Sequence, residues 1–130
     1  MKTYLKRKFF SFFNYGRFVW PNIENFVRNE LENIKSNSSI LDAGAGEQKW
    51  KKYTNHLKYT SSDFCQYKSG GNNIGQQEGV WDTSSIDVVC DICDMPFEDN
   101  CFDAVLCTEV LEHVINPELA LKEIYRVLEY

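Results

Sequence analysis

Three carboxylates stand at the ends of three short segments that read as strands: Asp42 in ILDA, Asp63 in YTSSD and Asp91 in IDVVCD. Behind the first lies Asp42-Ala43-Gly44-Ala45-Gly46, a glycine-rich turn where the missing Cβ lets backbone come close to a ligand. If a helix follows, such a turn can hold a pyrophosphate at the helix N-terminus. The acid two residues before Gly44 disfavours a phosphate, however, and favours a ligand with an ammonium group. Asp63, twenty-one residues after Asp42, stands where a carboxylate accepts both hydroxyls of an unphosphorylated ribose. The Asp91 carboxylate can take an exocyclic adenine amine while the Ile92 backbone N–H meets a ring nitrogen. Ammonium, ribose and adenine together describe S-adenosylmethionine.

A second constellation follows the last apolar run. Glu109, Glu112 and His113 form E-x-x-E-H, and helical spacing would put Glu109 on the same face as Glu112 or His113. One reading is a site for magnesium or a related divalent ion. In the other, Glu112 and His113 bond neighbouring backbone and order the loop. No further histidine follows to complete a ligand set, so no metal is assigned. His113 and Glu109 are the candidate catalytic residues, with His113 able to deprotonate an acceptor hydroxyl. Transfer from a sulfonium to a good nucleophile needs little acid–base help, and positioning can carry much of the rate. Cys90 and Cys93 make a single C-x-x-C without the second pair that zinc requires. Cys90 and Cys107 read as small hydrophobes. His56 reads as solvent-facing on a lysine-rich helix, and Trp81-Asp82 fits either sugar stacking or a turn.

The elements that would position these residues alternate. Strands are expected at Ile40–Ala43, Tyr59–Asp63, Ile86–Asp91 and Phe102–Cys107, the last apolar enough for a parallel strand buried on both faces. Trp50, Tyr53 and Leu57 predict a helix after the glycine turn. Asn116-Pro117-Glu118 starts another with a cap, a first-turn proline and an acid near the positive dipole end, and Leu121, Ile124 and Leu128 form its stripe. Ile23, Phe26, Val27, Leu31 and Ile34 predict an earlier amphipathic helix ending near Lys35. Right-handed crossovers then give an α/β, Rossmann-like three-layer sandwich with a mostly parallel sheet in the order 3-2-1-4. Residues 66–85, with four glycines and no helical period, leave a long connection without a crossover helix.

In this arrangement the sequence resembles the class I S-adenosylmethionine-dependent methyltransferases, particularly their small-molecule branch. ILDAGAGE resembles the first motif, YTSSDF the second-strand acid, and DICDMPFEDNCFDAVLCTEVLEHVINPELALKEIYRVL the stretch through the fourth strand and its helix. The resemblance implies that Asp42, Gly44 and Gly46 hold the methionine end, Asp63 the ribose, Asp91 and Ile92 the adenine, and the Cys107 backbone the amino group, with Phe64 also among the cofactor-binding residues. Gln48 stands where the family often has a third glycine. The family pattern continues with further strands beyond the point reached at Glu129-Tyr130, so the sheet is expected to be incomplete at the C-terminus. The fourth strand should then be an unpaired edge open to a second copy or a partner chain.

With 130 residues, 43% hydrophobic and 25% charged, the chain suits one folded domain and neither a disordered nor a fibrous protein. We divide it into an aromatic, basic helical arm at 1–35 and the cofactor-binding domain at 36–130. The arm carries seven Lys/Arg against three Glu, whereas the remainder carries seven against sixteen acids. Nucleic acid is therefore not an expected partner. A membrane surface touched by the arm is possible but not favoured. Five cysteines and no convincing export signal suggest a reducing, cytoplasmic setting. The expected activity is methyl transfer to a small-molecule acceptor, with a saccharide favoured by the resemblance. The alternatives are a noncatalytic cofactor-binding fragment acting through a partner and, less favoured, a nicotinamide oxidoreductase fragment.

Overall fold

A computed structural model describes residues 8–12, 20–66 and 82–129, with side chains at 23–66 and 82–129. Its elements are β1 (Lys8–Phe12), α1 (Trp20–Glu32), β2 (Ser39–Ala43), β3 (Lys58–Asp63), β4 (Val88–Val89), β5 (Ala104–Thr108) and α2 (Pro117–Val127). All strand pairs are parallel, and the sheet order is β1-β5-β2-β3-β4. The four strands expected from the sequence thus take the order 3-2-1-4.

Alternation along β2 and β5 divides the core between the two sheet faces. Leu41, Ala43, Val105 and Cys107 pack with Ala120, Ile124 and Val127 of α2, while Ile40, Ala104 and Leu106 pack with Ile23, Val27 and Leu31 of α1. Strands buried on both faces carry continuous apolar runs for this reason. The α2 stripe runs through Ala120, Ile124 and Val127. Ile124 and Leu128 are buried as expected, whereas Leu121 is exposed and Ala120 takes the place facing the sheet. Asn116 caps α2 by accepting the Leu119 N–H at 3.3 Å, and Pro117 follows in the first turn as expected.

The N-terminal segment departs from the expected helical arm. Residues 8–12 are a strand, and they lie along the edge of β5 that was expected to be unpaired. Helix α1 forms as predicted, but it belongs to the same core as the sheet. The helix expected from Trp50 to Leu57 shrinks to a single 3-10 turn, Lys51–Tyr53. Thr54 stops it, because its hydroxyl bonds the Lys51 carbonyl at 2.9 Å and competes with the helical ladder. His56, read as solvent-facing, is half-buried with its Nε2 at 3.2 Å from the Ile34 carbonyl oxygen.

Strand β4 has only two residues where six were expected. Aspartates replace the ladder on either side. The Asp87 carboxylate accepts from the Ser61 N–H at 2.8 Å and the Ser61 hydroxyl at 2.7 Å, and Asp91 turns back to accept the Cys93 N–H at 2.8 Å. The same device starts β5, where Asp103 accepts from the Ser39 N–H at 2.7 Å and its hydroxyl at 2.9 Å. Most of the long segment, residues 67–81 with Trp81, lies outside the described residues.

Candidate functional site

The glycine turn sits where β2 leaves the sheet. Gly44 and Ala45 donate their N–H groups to the Ser62 carbonyl at 2.8 and 3.0 Å, which bends the chain over the end of β3. Gly44 and Gly46 have φ of +79° and +53°, in the left-handed region that glycine tolerates best. A Cβ on Gly44 would also collide with the Val110 side chain. Gln48, in place of a third glycine, has a φ of +56°. It is held there by its own amide, which donates to the Ser61 hydroxyl at 2.8 Å and to the Ser85 carbonyl at 2.7 Å.

Asp63 joins the glycine turn to the end of β3. Its Oδ2 accepts the Gly46 N–H at 2.9 Å and its Oδ1 accepts the Cys65 N–H at 2.8 Å. The two bonds fix the orientation of the carboxylate. Phe64 follows, with half of its surface exposed at the strand end. Asp91 is exposed two residues beyond β4, and Ile92 packs partly into the α2 core. The Cys90 thiol lies within electrostatic reach of both Asp63 and Asp91; burial chiefly pushes its pKa up, and the two acids add to the shift.

Asp42 has a different environment. It lies inside β2 and is almost completely buried, with Oδ2 accepting the Tyr59 hydroxyl at 2.7 Å. Burial, with a smaller contribution from Asp63, pushes its carboxyl up to about 7, although the Tyr59 bond opposes the rise. Asp42 and Asp63 share one face of the sheet, yet Asp42 is not an exposed tip like Asp91. Cys107 is buried in β5, and desolvation drives its thiol up to about 12, leaving a neutral side chain.

The loop after β5 leans on the glycine turn through Val110. Glu109 within this loop has a φ of +58°, which is strained for a residue with a Cβ. Partial burial raises its carboxyl, Glu112 adds to the rise, and Lys49 and His113 oppose it. The structure therefore brings Glu109, Glu112, His113 and Lys49 into one electrostatic neighbourhood. Among the described residues, no three His, Cys, Asp or Glu side chains gather as metal ligands. Trp50 ties this loop to the glycine-turn segment, its Nε1 donating to the Thr108 hydroxyl at 2.9 Å. Trp50, Tyr59, Thr108 and Val110 are support residues that spacing alone did not single out.

Comparison with known proteins adds a family to this geometry. A family pattern described as "Methyltransferase domain" matches residues 41–130. The mouse protein named "Probable tRNA methyltransferase 9B" is 28% identical over 114 residues, which is 85% of this chain and 23% of that protein. Rice "Cycloartenol-C-24-methyltransferase 1" is 32% identical over 111 residues, 82% of this chain and 31% of that one. The chain thus spans about a quarter to a third of the length of these relatives. A Haemonchus contortus phosphoethanolamine N-methyltransferase, solved with S-adenosylhomocysteine, shares the fold at a TM-score of 0.56 and 19% identity, over 83% of this chain and 26% of that one.

Proposed function

The chain belongs to the methyltransferase-domain family of class I S-adenosylmethionine-dependent proteins, and on that premise we propose that it transfers a methyl group to a small polar acceptor. The cofactor is S-adenosylmethionine, bound beyond the ends of β2, β3 and β4. The observation that carries this reading is the Gly46 N–H to Asp63 bond at 2.9 Å. It sets a close-approach backbone turn and a buried, oriented carboxylate side by side, as a ligand with a ribose next to a compact polar end requires.

The residues present fit the cofactor's chemistry. Asp63 accepts from the ribose hydroxyls, and the half-exposed Phe64 ring borders the nucleoside. Asp91 and the Ile92 N–H serve the adenine edge, Gly44 and Gly46 give the methionine end room, and the Cys107 carbonyl takes its amino group. Asp42 acts from below the turn, where its charge, once its proton is lost, favours a cationic ligand over a phosphate. When bound, the cofactor supplies an electrophilic methyl group on a sulfonium sulfur. The chain's own work is to position the acceptor along Thr108 to His113 and to receive a proton. Glu109, with its raised carboxyl, and His113 are the groups placed to do so.

Charge favours a small acceptor over a polynucleotide. Residues 36–130 carry sixteen acids against seven Lys/Arg, the reverse of the basic surface that phosphate backbones select.

Calorimetric titration with S-adenosylhomocysteine tests the proposal. Binding should weaken about tenfold or more in Asp63→Ala, the loss of at least ~1.4 kcal/mol of charge-assisted hydrogen bonding. Because Asp63 also supports the fold, Phe64→Ala is the companion variant. It should weaken binding while leaving the unfolding transition in place. A folded wild-type chain that binds no S-adenosylhomocysteine contradicts the proposal.

A further inference from the structure

The Asp42 carboxylate is 1% exposed, and among the described residues the Tyr59 hydroxyl, 2.7 Å from Oδ2, is its one hydrogen-bond donor. No Lys, Arg or His among them pairs with it. A carboxylate taken out of water without a counter-charge keeps its proton. The groups that face the pair supply no such charge. From β3 the Asp63 carboxylate repels a second negative charge. From β5 the Cys107 thiol is neutral, pushed up to about 12 by burial. Helix α1 turns Ile23, Val27 and Leu31 to this face of the sheet. Beside Tyr59 stand Asp87 and, with its Nζ 5.6 Å from the ring centre, Lys51. Burial chiefly, then Asp42, raises the Tyr59 hydroxyl, so it remains a donor across the neutral range.

We propose that Tyr59 is a positioning residue for cofactor binding: it holds Oδ2 of Asp42, leaves Oδ1 for the cofactor's ammonium group, and eases the loss of the proton that this contact displaces. The inference deepens the methyl-transfer reading and rests on its cofactor assignment. In the free chain the Asp42 carboxyl is held at about 7. An arriving ammonium group brings the counter-charge that the fold omits. The O–H bond of Asp42 then breaks, its electron pair stays on the carboxylate, the proton passes to solvent, and an ion pair forms. The Tyr59 hydroxyl favours the charged carboxylate throughout, so its removal makes the proton harder to displace. Tyr59→Phe takes away that donor and keeps the ring that packs against the Ile40 and Trp50 cluster.

Calorimetric titration with S-adenosylhomocysteine from pH 5.5 to pH 9, in paired buffers that differ in ionisation enthalpy, measures affinity and proton release together. Wild type should bind about tenfold more weakly at pH 6 than at pH 8, and at pH 6.5 it should release most of one proton. In Tyr59→Phe the same profile should move up by about one pH unit and converge on wild type near pH 9. Asp42→Asn should abolish the proton release. Binding by wild type without proton release, or equal release in Asp42→Asn, overturns the linkage. A Tyr59→Phe profile that stays in place, or that drops equally at every pH as a purely structural defect would, overturns the positioning role. A folded wild-type chain that binds at no pH overturns the cofactor reading, and this inference with it.

Discussion

At the scale of single residues, Asp42 of the site titrates in the opposite direction to Asp87 and Asp103, which brace the sheet. Asp42 is held at about 7, above its ordinary value, so the native state holds this proton more tightly than the unfolded chain does. Its contribution is fully present below about pH 4 and is lost as pH rises towards 7. Hydrogen bonds from Ser61 and Ser39 hold Asp87 and Asp103 below their ordinary values. Their contribution is present at neutral pH and disappears as pH falls through the lowered values. Urea unfolding of Asp42→Asn should therefore show a smaller loss of stability between pH 5 and pH 8 than wild type, with a gain at pH 8 on the order of 3 kcal/mol. An unchanged slope would remove Asp42 from this role. Gly44→Ala should cost about 1–3 kcal/mol for its left-handed backbone and its collision with Val110. Adding Val110→Ala should recover part of that cost, a positive coupling that a double-mutant cycle measures.

At the scale of elements, Arg126 makes the largest set of side-chain bonds between α2 and the segment before β5, where Glu123 also accepts the Met95 N–H at 2.8 Å. Arg126 donates to the Met95 and Phe97 carbonyls at 2.8 and 2.7 Å, to Asp99 at 2.8 Å, and through two nitrogens to Glu123. Arg126→Ala should destabilise the chain by about 2 kcal/mol, and Arg126→Lys should restore little of it, since an ammonium cannot reproduce the planar fork. Denaturant midpoints of the two variants check this. The central elements were readable because apolar runs, turns and caps encode them locally: β2, β3, β5 and both helices lie close to where the pattern puts them. The short β4 was harder to read, since IDVVCD looks like a full strand until Asp87 and Asp91 spend their carboxylates on backbone. The glycine turn and Asp63 were legible from type and spacing. Their supports Trp50, Tyr59 and Val110 were not, because each meets its partner only after the sheet is assembled.

At the scale of the whole molecule, the least legible feature is the one that closes the sheet. KFFSF suits a helix or a strand equally well, and nothing local to it names β5 as its partner. The long-range pairing decides, because an apolar strand edge is costly to leave open. Both helices and five strands together form a three-layer support with the glycine turn, Asp63 and the Thr108–His113 loop at one end. No helix among the described residues is long and apolar enough to cross a membrane. The account's central claim is that this end of the sheet holds the cofactor. The most direct measurement is the change in backbone amide resonances of the isotope-labelled chain on titration with S-adenosylhomocysteine. The account predicts the largest shifts at Gly44, Gly46, Asp63, Phe64, Ile92 and Cys107 to Val110. Binding that instead moves the exposed face of α2 around Leu121 and Tyr125, and leaves the glycine turn and Asp63 unperturbed, would contradict it.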